Sequence, residues 1–478
     1  MISATYTWAQ FIPEFTLVGL ATLILMADCF LPKLPKSFYA LFGAAGAVAA
    51  AFFMNGEAEL SQFRMLAVIA TALTILLAYD YRKITCEAVS GTDSEEGSSE
   101  LYALPLIACA GICALTQAKD IIMLFVSLEV VTLSSYVLAG YFRRNQGSIE
   151  AGVKYLILGA MSTGLLVFGA AWYYGMTGTF LLDAAVVYHV FFAADPAMSV
   201  GFMLAMALLL AGAFFKTGTA PMHIWIPDVY QGAPTPTTSF LAVASKTAGF
   251  VVLCSLALPF APYMVPGSKL GTLLVWCFAL VAAATLLIGN LGAMRQTNIK
   301  RLLGYSSIGQ AGFILVFFLD LNGPVVFLVS SYLLAYALST IAAFFAVAMV
   351  RTQRGSEEIA AFRGLGTSNP RTAFLITVCF ASLAGVPLTF GFLVKMYAFV
   401  AAISTIVAWC GICWLLPIMI VTAATGFYYY FKIIRAMYWE KPQAGDKPLC
   451  VPLCTGIVMT LCVLALIYLG TMPLITMG

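Results

Sequence analysis

The chain has 478 residues, of which 62% are apolar and 9% charged, with a formal net charge of +3. Soluble domains carry about 25% charged residues, so this chain cannot cover a water-facing surface of its size. A soluble enzyme and a nucleic-acid binder are excluded, and a mean hydropathy of +0.97 marks a polytopic membrane protein. The twelve cysteines lack the paired spacing of a disulfide framework and read as small buried apolar residues. The first apolar run has no cleavage-like site, so no removable signal peptide is expected.

A spanning helix needs roughly 20 mostly apolar residues. That window predicts about fourteen helices. The first six lie near 11–31, 37–55, 62–81, 101–117, 120–142 and 150–175. The remaining eight lie near 198–217, 236–259, 270–292, 301–320, 324–350, 372–402, 405–435 and 450–472. Continuous rather than alternating apolarity selects an all-α bundle over a barrel. The segment Gly91–Glu100 (GTDSEEGSSE) reads as a mobile polar loop, and the loop Asp183–Pro196 as a place for a short helix.

The basic residues set the orientation. With the N-terminus outside, seventeen Lys and Arg fall in the inner loops, counting Lys33, Lys83, Lys300 and Lys447. Three fall outside: Arg64, Lys119 and Lys269. That asymmetry predicts an even number of spans with both termini extracytoplasmic. Four lysines are left over, Lys154, Lys216, Lys246 and Lys395, all inside predicted spans. Glu129 is the acid nearest mid-span. Five such charges would cost on the order of 10 kcal/mol unless paired or hydrated, so a polar path runs through the bundle.

Two segments cannot be unbroken helices. In AFFKTGTAPMHIWIPDVYQGAPTPTTSF, Gly218, Pro221 and Pro227 follow Lys216; in SLAGVPLTFGFLVK, Gly385, Pro387 and Gly391 precede Lys395. Each proline deletes a backbone donor, and broken helices at membrane depth line cavities or are packed in protein. The breaks fall in spans 7 and 12, five spans apart. Spans 4–8 and 9–13 therefore read as two five-helix units of opposite orientation. The boundaries are 1–100 for three N-terminal helices and a polar loop, 101–260 and 261–440 for the two repeats, and 441–478 for a last helix.

An acid and several lysines at similar depth suit proton exchange, because burial disfavours the charged ammonium and an acid partner restores it. A static ion pair locking helices together is the alternative for Glu129 and Lys216. Lys154, early in span 6, either joins the path or snorkels to the inner surface. His223, after the first break, either relays protons or serves as a structural hydrogen-bond partner. Cys410 and Cys413 form a CxxC inside AWCGICWLL, read as packed membrane helix. No metal-ligand cluster, cofactor-binding motif or phosphate cradle is found.

The stretch AFFKTGTAPMHIWIPDVYQGAPTPTTSFLAVASKTAGF resembles the antiporter-like membrane subunits of respiratory complex I. Within that family it is similar to the N-type subunits of bacterial NADH:quinone oxidoreductase (NDH-1), relatives of mitochondrial NADH dehydrogenase subunit 2. SLEVVTLSSYVLAGY, NIKRLLGYSSIGQAGF and GVPLTFGFLVK add to the likeness, which spans roughly 100–440. The resemblance implies proton translocation by Glu129 on helix 5, Lys216 on broken helix 7, Lys246 on helix 8 and Lys395 on broken helix 12. It implies no redox chemistry on this chain. NADH, FMN, iron–sulfur clusters and quinone would belong to partner subunits, the chain sitting with other membrane-arm subunits in a bacterial inner membrane. An Mrp-type cation/proton antiporter subunit shares the fold and is the competing expectation.

Overall fold

A computed structural model of the chain describes residues 6, 8–31, 34–52, 60–82, 84–85, 99–193, 196–409, 411–442 and 448–476. Lys33, Lys83 and Lys447, Cys410, and all but the end of the polar loop before Glu100 lie outside the described residues. The chain is helical almost throughout. In order the long helices are α1 Ile12–Phe30, α2 Lys36–Ala51, α3 Ser61–Asp80, α4 Glu100–Leu115, α5 Ile121–Ala139 and α6 Gln146–Thr177. Next come α7 Pro196–Thr217, α8 Thr235–Tyr263, α9 Lys269–Met294, α10 Ile299–Leu319 and α11 Val325–Arg354. The last are α12 Pro370–Ala384, α13 Phe390–Ala408, α14 Leu415–Trp439 and α15 Leu453–Thr476. Among the described residues twelve of these are long and apolar enough to cross a membrane, and α2, α4 and α12 are shorter apolar helices.

The sequence sets the helix ends. Asp120 accepts from the Met123 N–H at the start of α5 and Asn298 from the Arg301 N–H at the start of α10, each a cap of about 1 kcal/mol. Gly178 and Gly355 close α6 and α11 in the left-handed conformation. The helices are dressed for lipid, as α5 illustrates. Ile122, Val126, Leu133 and Val137 are half exposed along one stripe, whereas Thr132, Ser135 and Tyr136, which lie off that stripe, are buried. This is the reverse of a soluble amphipathic helix, and it leaves a polar seam inside.

α6 packs along α7, α9 along α10, and α4 along α5. α3 touches α4, α8 and α11, so the N-terminal helices lean on both later groups rather than standing apart. α8, α10 and α11 are almost wholly buried and form the centre.

Several expectations shift. The short helix Ala184–Tyr188 occupies the 183–196 loop as anticipated. The helix after the second break reaches Ala408, and α14 starts at Leu415 rather than near 405. The apolar run there is uninterrupted by charge, so hydropathy alone could not place the turn. Lys300, counted as a loop cation, is 3% exposed in the first turn of α10, and Arg64, counted as an outer loop residue, is 4% exposed within α3. Of the ten described cysteines only five are buried; Cys29, Cys277, Cys413 and Cys450 are exposed.

Candidate functional site

The two helix breaks are built alike. After α7, the Thr219 N–H donates to Phe214 O at 3.0 Å and the Gly218 N–H to Phe215 O at 3.2 Å, with Gly218 at φ +72°. After α12, the Val386 N–H donates to Ala381 O at 3.0 Å and the Gly385 N–H to Ser382 O at 3.0 Å, with Gly385 at φ +89°. Both are Schellman closures, which require a residue free to adopt positive φ. The short helix Trp225–Gly232 follows the first break and α13 follows the second. The Trp225 indole N–H reaches back to Phe215 O at 3.0 Å and ties the first break together.

The break exposes carbonyls that a helix would satisfy, and a cation takes them up. The Lys395 ammonium donates to Leu383 O at 2.7 Å and Ala384 O at 2.9 Å, capping the C-terminus of α12 from the far side of the break. The negative end of the helix dipole favours a cation there. A Cβ on Gly385 would meet Lys395 Cδ at 2.9 Å, so this glycine supplies the turn and also the room for the lysine stem. Lys216 lies in the last turn of α7, likewise at the negative end of a half-helix.

Lys216 and Glu129 do not form a direct ion pair. The Lys216 ammonium donates to Thr132 Oγ1 at 2.8 Å and lies over the rings of Tyr136 and Phe215. Glu129 Oε1 accepts from Thr163 Oγ1 of α6 at 2.8 Å. Glu129, Thr132 and Tyr136 follow one another on the same face of α5, at i, i+3 and i+7. The expected contact is thus replaced by two charges in threonine cradles one helical turn apart.

Lys246 enters from α8 directly after Leu241–Ser245, which is wound as a π-helix. Such irregular turns recur at functional sites. Its ammonium donates to the Ser307 carbonyl at 2.6 Å and to the Ser307 hydroxyl, both on α10, beneath the Tyr336 ring of α11. Next to Ser307, Ser306 pairs with Tyr430 of α14. Gln310 donates to Tyr430 Oη at 3.3 Å and to Leu383 O at 3.1 Å, while Tyr332 donates to Gln310 Oε1 at 2.5 Å. Leu383 O is the carbonyl that Lys395 holds. An uncharged polar band on α10 therefore links the surroundings of Lys246 to those of Lys395.

At one end of the bundle a cavity of about 610 Å³ is lined by Arg144, Glu150, Lys154, Asp228, Lys300, Arg301, Arg351 and Glu357 among others. Lys154 lies here, 41% exposed, bridging to Glu150 at 2.6 Å and Asp228 at 2.8 Å. Asp228 also takes Arg301 at 2.7 Å. Burial pushes the Asp228 carboxyl up, but hydrogen bonds from Lys154 and Arg301 outweigh it and hold the group below its ordinary range. Lys300 reaches from this mouth into the bundle, donating to Ala233 O at 2.7 Å and to Glu357 at 3.2 Å. The structure thus places Lys154 at an open mouth rather than in the buried axis. His223 is half-buried beside the first break and hydrogen-bonds to none of the lysines.

Sequence reasoning missed Thr132, Thr163, Lys300, Ser307, Gln310 and Tyr430. The signal for three of them was the spacing in NIKRLLGYSSIGQ, where Lys300, Ser307 and Gln310 share one helical face. Among the described residues no group of three or more His, Cys, Asp or Glu is placed to hold a metal ion.

Apolar helices, two Schellman breaks and buried lysines around them define a multi-pass membrane protein of antiporter-like fold. Residues 118–423 match the family described as NADH:quinone oxidoreductase/Mrp antiporter, transmembrane, and the chain belongs to that family. It is 34% identical to a Brevibacillus brevis protein named NADH-quinone oxidoreductase subunit N, over 98% of this chain and 94% of that one. The Bacillus anthracis protein of the same name is 36% identical, again over 98% and 94%. Among solved structures, a chain of respiratory complex I from Thermus thermophilus superposes with a TM-score of 0.76 at 27% identity, covering 97% of each chain. A chain of the Mrp complex from a Dietzia species shares the fold at 18% identity with a TM-score of 0.75, covering 98% of this chain and 96% of that one.

Proposed function

We propose that the chain is the N-type proton-translocating membrane subunit of an NADH:quinone oxidoreductase. The observation that carries this reading is the row of buried lysines, Lys216, Lys246 and Lys395, each held by neutral hydrogen-bond acceptors rather than by a carboxylate. A buried ammonium held by neutral acceptors is costly, so a lysine in this setting is suited to exchanging a proton rather than to holding it permanently. Full-length likeness to proteins named subunit N favours the redox-driven complex over a stand-alone exchanger.

In this reading α12 and α13 are one broken helix, which makes fourteen spans, and α4–α8 and α9–α14 are the two inverted repeats. The basic mouth around Lys154 and Arg301 faces the cytoplasm, and both termini lie outside. Lys216 is loaded while near Glu129 and releases its proton when held by Thr132. The proton passes from Lys246 to Lys395, with His223 as a side group of the first break. NADH, FMN, iron–sulfur clusters and quinone reside on partner subunits, and the membrane is the bacterial inner membrane.

The test is purification of the tagged chain in mild detergent, followed by assay of NADH:quinone reductase activity and of proton uptake in vesicles. The expected result is co-purifying activity, with Lys216→Ala abolishing the proton movement assigned to this chain. Full pumping by Lys216→Ala, or sodium-dependent exchange without NADH oxidation, would overturn the reading.

A further inference from the structure

Between Lys246 and Lys395 the α10 band leaves one step open. Gln310 accepts and donates through an amide, which does not pass a proton on readily, and Tyr430 faces Ser306 rather than Lys246. A second route lies on α11. Tyr336 is 4% exposed, and its ring lies 5.1 Å from Lys246 Nζ. Its hydroxyl lies near the Ser307 and Thr340 side chains but makes no well-aligned hydrogen bond to either, and Thr340 Oγ1, one turn further along the same face, makes none elsewhere. Buried hydroxyls without partners are uncommon and call for an explanation, an internal water among them. Beside Tyr336 is a small cavity of about 10 Å³, close to the space one water centre needs. Lys395 lines the same cavity, with Gln310, Tyr332, Ser339 and Ser382 supplying further polar partners. These groups already bond to one another or to backbone, and it is the remaining lone pairs on their oxygens that could accept from a water there.

We propose that Tyr336 is the proton-transfer link between Lys246 and Lys395, working through its hydroxyl and one water in the adjoining cavity. The inference rests on the proton-translocating reading above. A proton leaves Lys246 as one N–H bond breaks and passes to Ser307 Oγ, which releases its own proton toward the Tyr336 oxygen. The phenol takes up that proton while its original O–H bond breaks, and the released proton crosses the water to a neutral Lys395 Nζ. One proton is gained and one lost at each oxygen, no electron moves, and no phenolate accumulates. Rotation of the two hydroxyls resets the chain.

Tyr336→Phe keeps the ring over Lys246 and removes only the hydroxyl. In vesicles holding the assembled complex, proton uptake per NADH oxidised is measured in H2O and D2O for Tyr336→Phe, Thr340→Val, Lys246→Ala and Lys395→Ala. Tyr336→Phe is expected to slow transfer by on the order of 10²-fold, a typical contribution of one positioned proton donor, lowering uptake as far as Lys395→Ala does. Thr340→Val is expected to give a smaller loss with a raised solvent isotope effect. Wild-type uptake and isotope effect in Tyr336→Phe, with Lys395→Ala impaired, would overturn this inference and leave the function standing. Wild-type uptake in both lysine variants would instead overturn the function. If Tyr336→Phe fails to assemble, Ser307→Ala decides: it deletes the hydroxyl that hands the proton to Tyr336 while Lys246 keeps the residue 307 carbonyl, and unchanged uptake and isotope effect would overturn the route.

Discussion

The Lys216 ammonium donates to Thr132 Oγ1 at 2.8 Å, one helical turn along α5 from Glu129, which is itself held by Thr163. The acid and the lysine are thus close enough to feel each other and are not joined. A device that loads a proton in one position and releases it in another needs two such positions. Thr132→Val deletes the outer cradle and leaves the ammonium Glu129 as its polar neighbour. Losing a hydrogen bond to a buried charge biases the position by about 1–3 kcal/mol. The expected outcome is slowed proton translocation with the complex intact, read as vesicle acidification at fixed NADH supply; an unchanged rate would remove Thr132 from the mechanism.

Gly385 does two jobs, holding φ at +89° and leaving space for the Lys395 stem. A non-glycine residue in that conformation costs about 1–3 kcal/mol, and here the new methyl group also meets Lys395 Cδ. Gly385→Ala is therefore expected to displace the ammonium from Leu383 O and Ala384 O and to lower both thermal stability and proton movement. Thermal unfolding of the purified complex checks the first effect, and a melting temperature equal to wild type would contradict it.

Much of this is legible in the sequence. Lys216, Lys246 and Lys395 stand out because a charge in an apolar run is costly, and Gly218, Pro221, Gly385 and Pro387 mark the breaks because their backbone constraints are local. Thr132, Ser307 and Tyr336 carried no such mark. Hydroxyl residues are common in membrane helices, where they bond back to the preceding turn, as Thr132 does to Leu128 O at 2.7 Å. Their roles depend on which neighbouring helix faces them, which is a tertiary fact. Lys300 departs from the sequence expectation for a different reason: it follows the Asn298 cap, where sequence cannot tell the first buried turn from the last residue of a loop. Opposite charge alone suggests a direct Glu129–Lys216 contact, whereas Thr132 and Thr163 take up the two charged groups instead.

Asp228 joins Lys154 of α6 to Arg301 of α10 across the cavity mouth. Its carboxyl is held below the ordinary range in the folded protein, so the stability it adds is present above the unfolded value, roughly 4. That stability is lost as pH falls through the lower folded value. The group is about a third exposed, and solvent screening keeps such a bridge within about 1 kcal/mol. Asp228→Asn is thus expected to lower the unfolding temperature slightly at pH 7, with the difference from wild type closing in acid. A deficit that grew toward low pH would show that the carboxylate does not act as this bridge.

Among the described residues Lys300 is the one cation that lines the mouth and is also deeply buried, and it lies two turns before Ser307 on the helix that receives Lys246. Under the proposed function this is the point where protons arriving at the basic face would leave bulk water. Lys300→Met keeps the length and apolar bulk of the stem and deletes the ammonium, which leaves Glu357 without its partner at 3.2 Å. Breaking one side of a buried pair costs about 3–5 kcal/mol, less here because Glu357 retains some exposure. A double variant, Lys300→Met with Glu357→Gln, removes the stranded charge and separates folding from conduction. It is expected to assemble like wild type and still translocate protons several-fold more slowly, measured as vesicle acidification per NADH oxidised. Restoration of the full rate in the double variant would reduce Lys300 to a structural counter-ion, and the uptake route would then have to reach the axis past Lys154 instead.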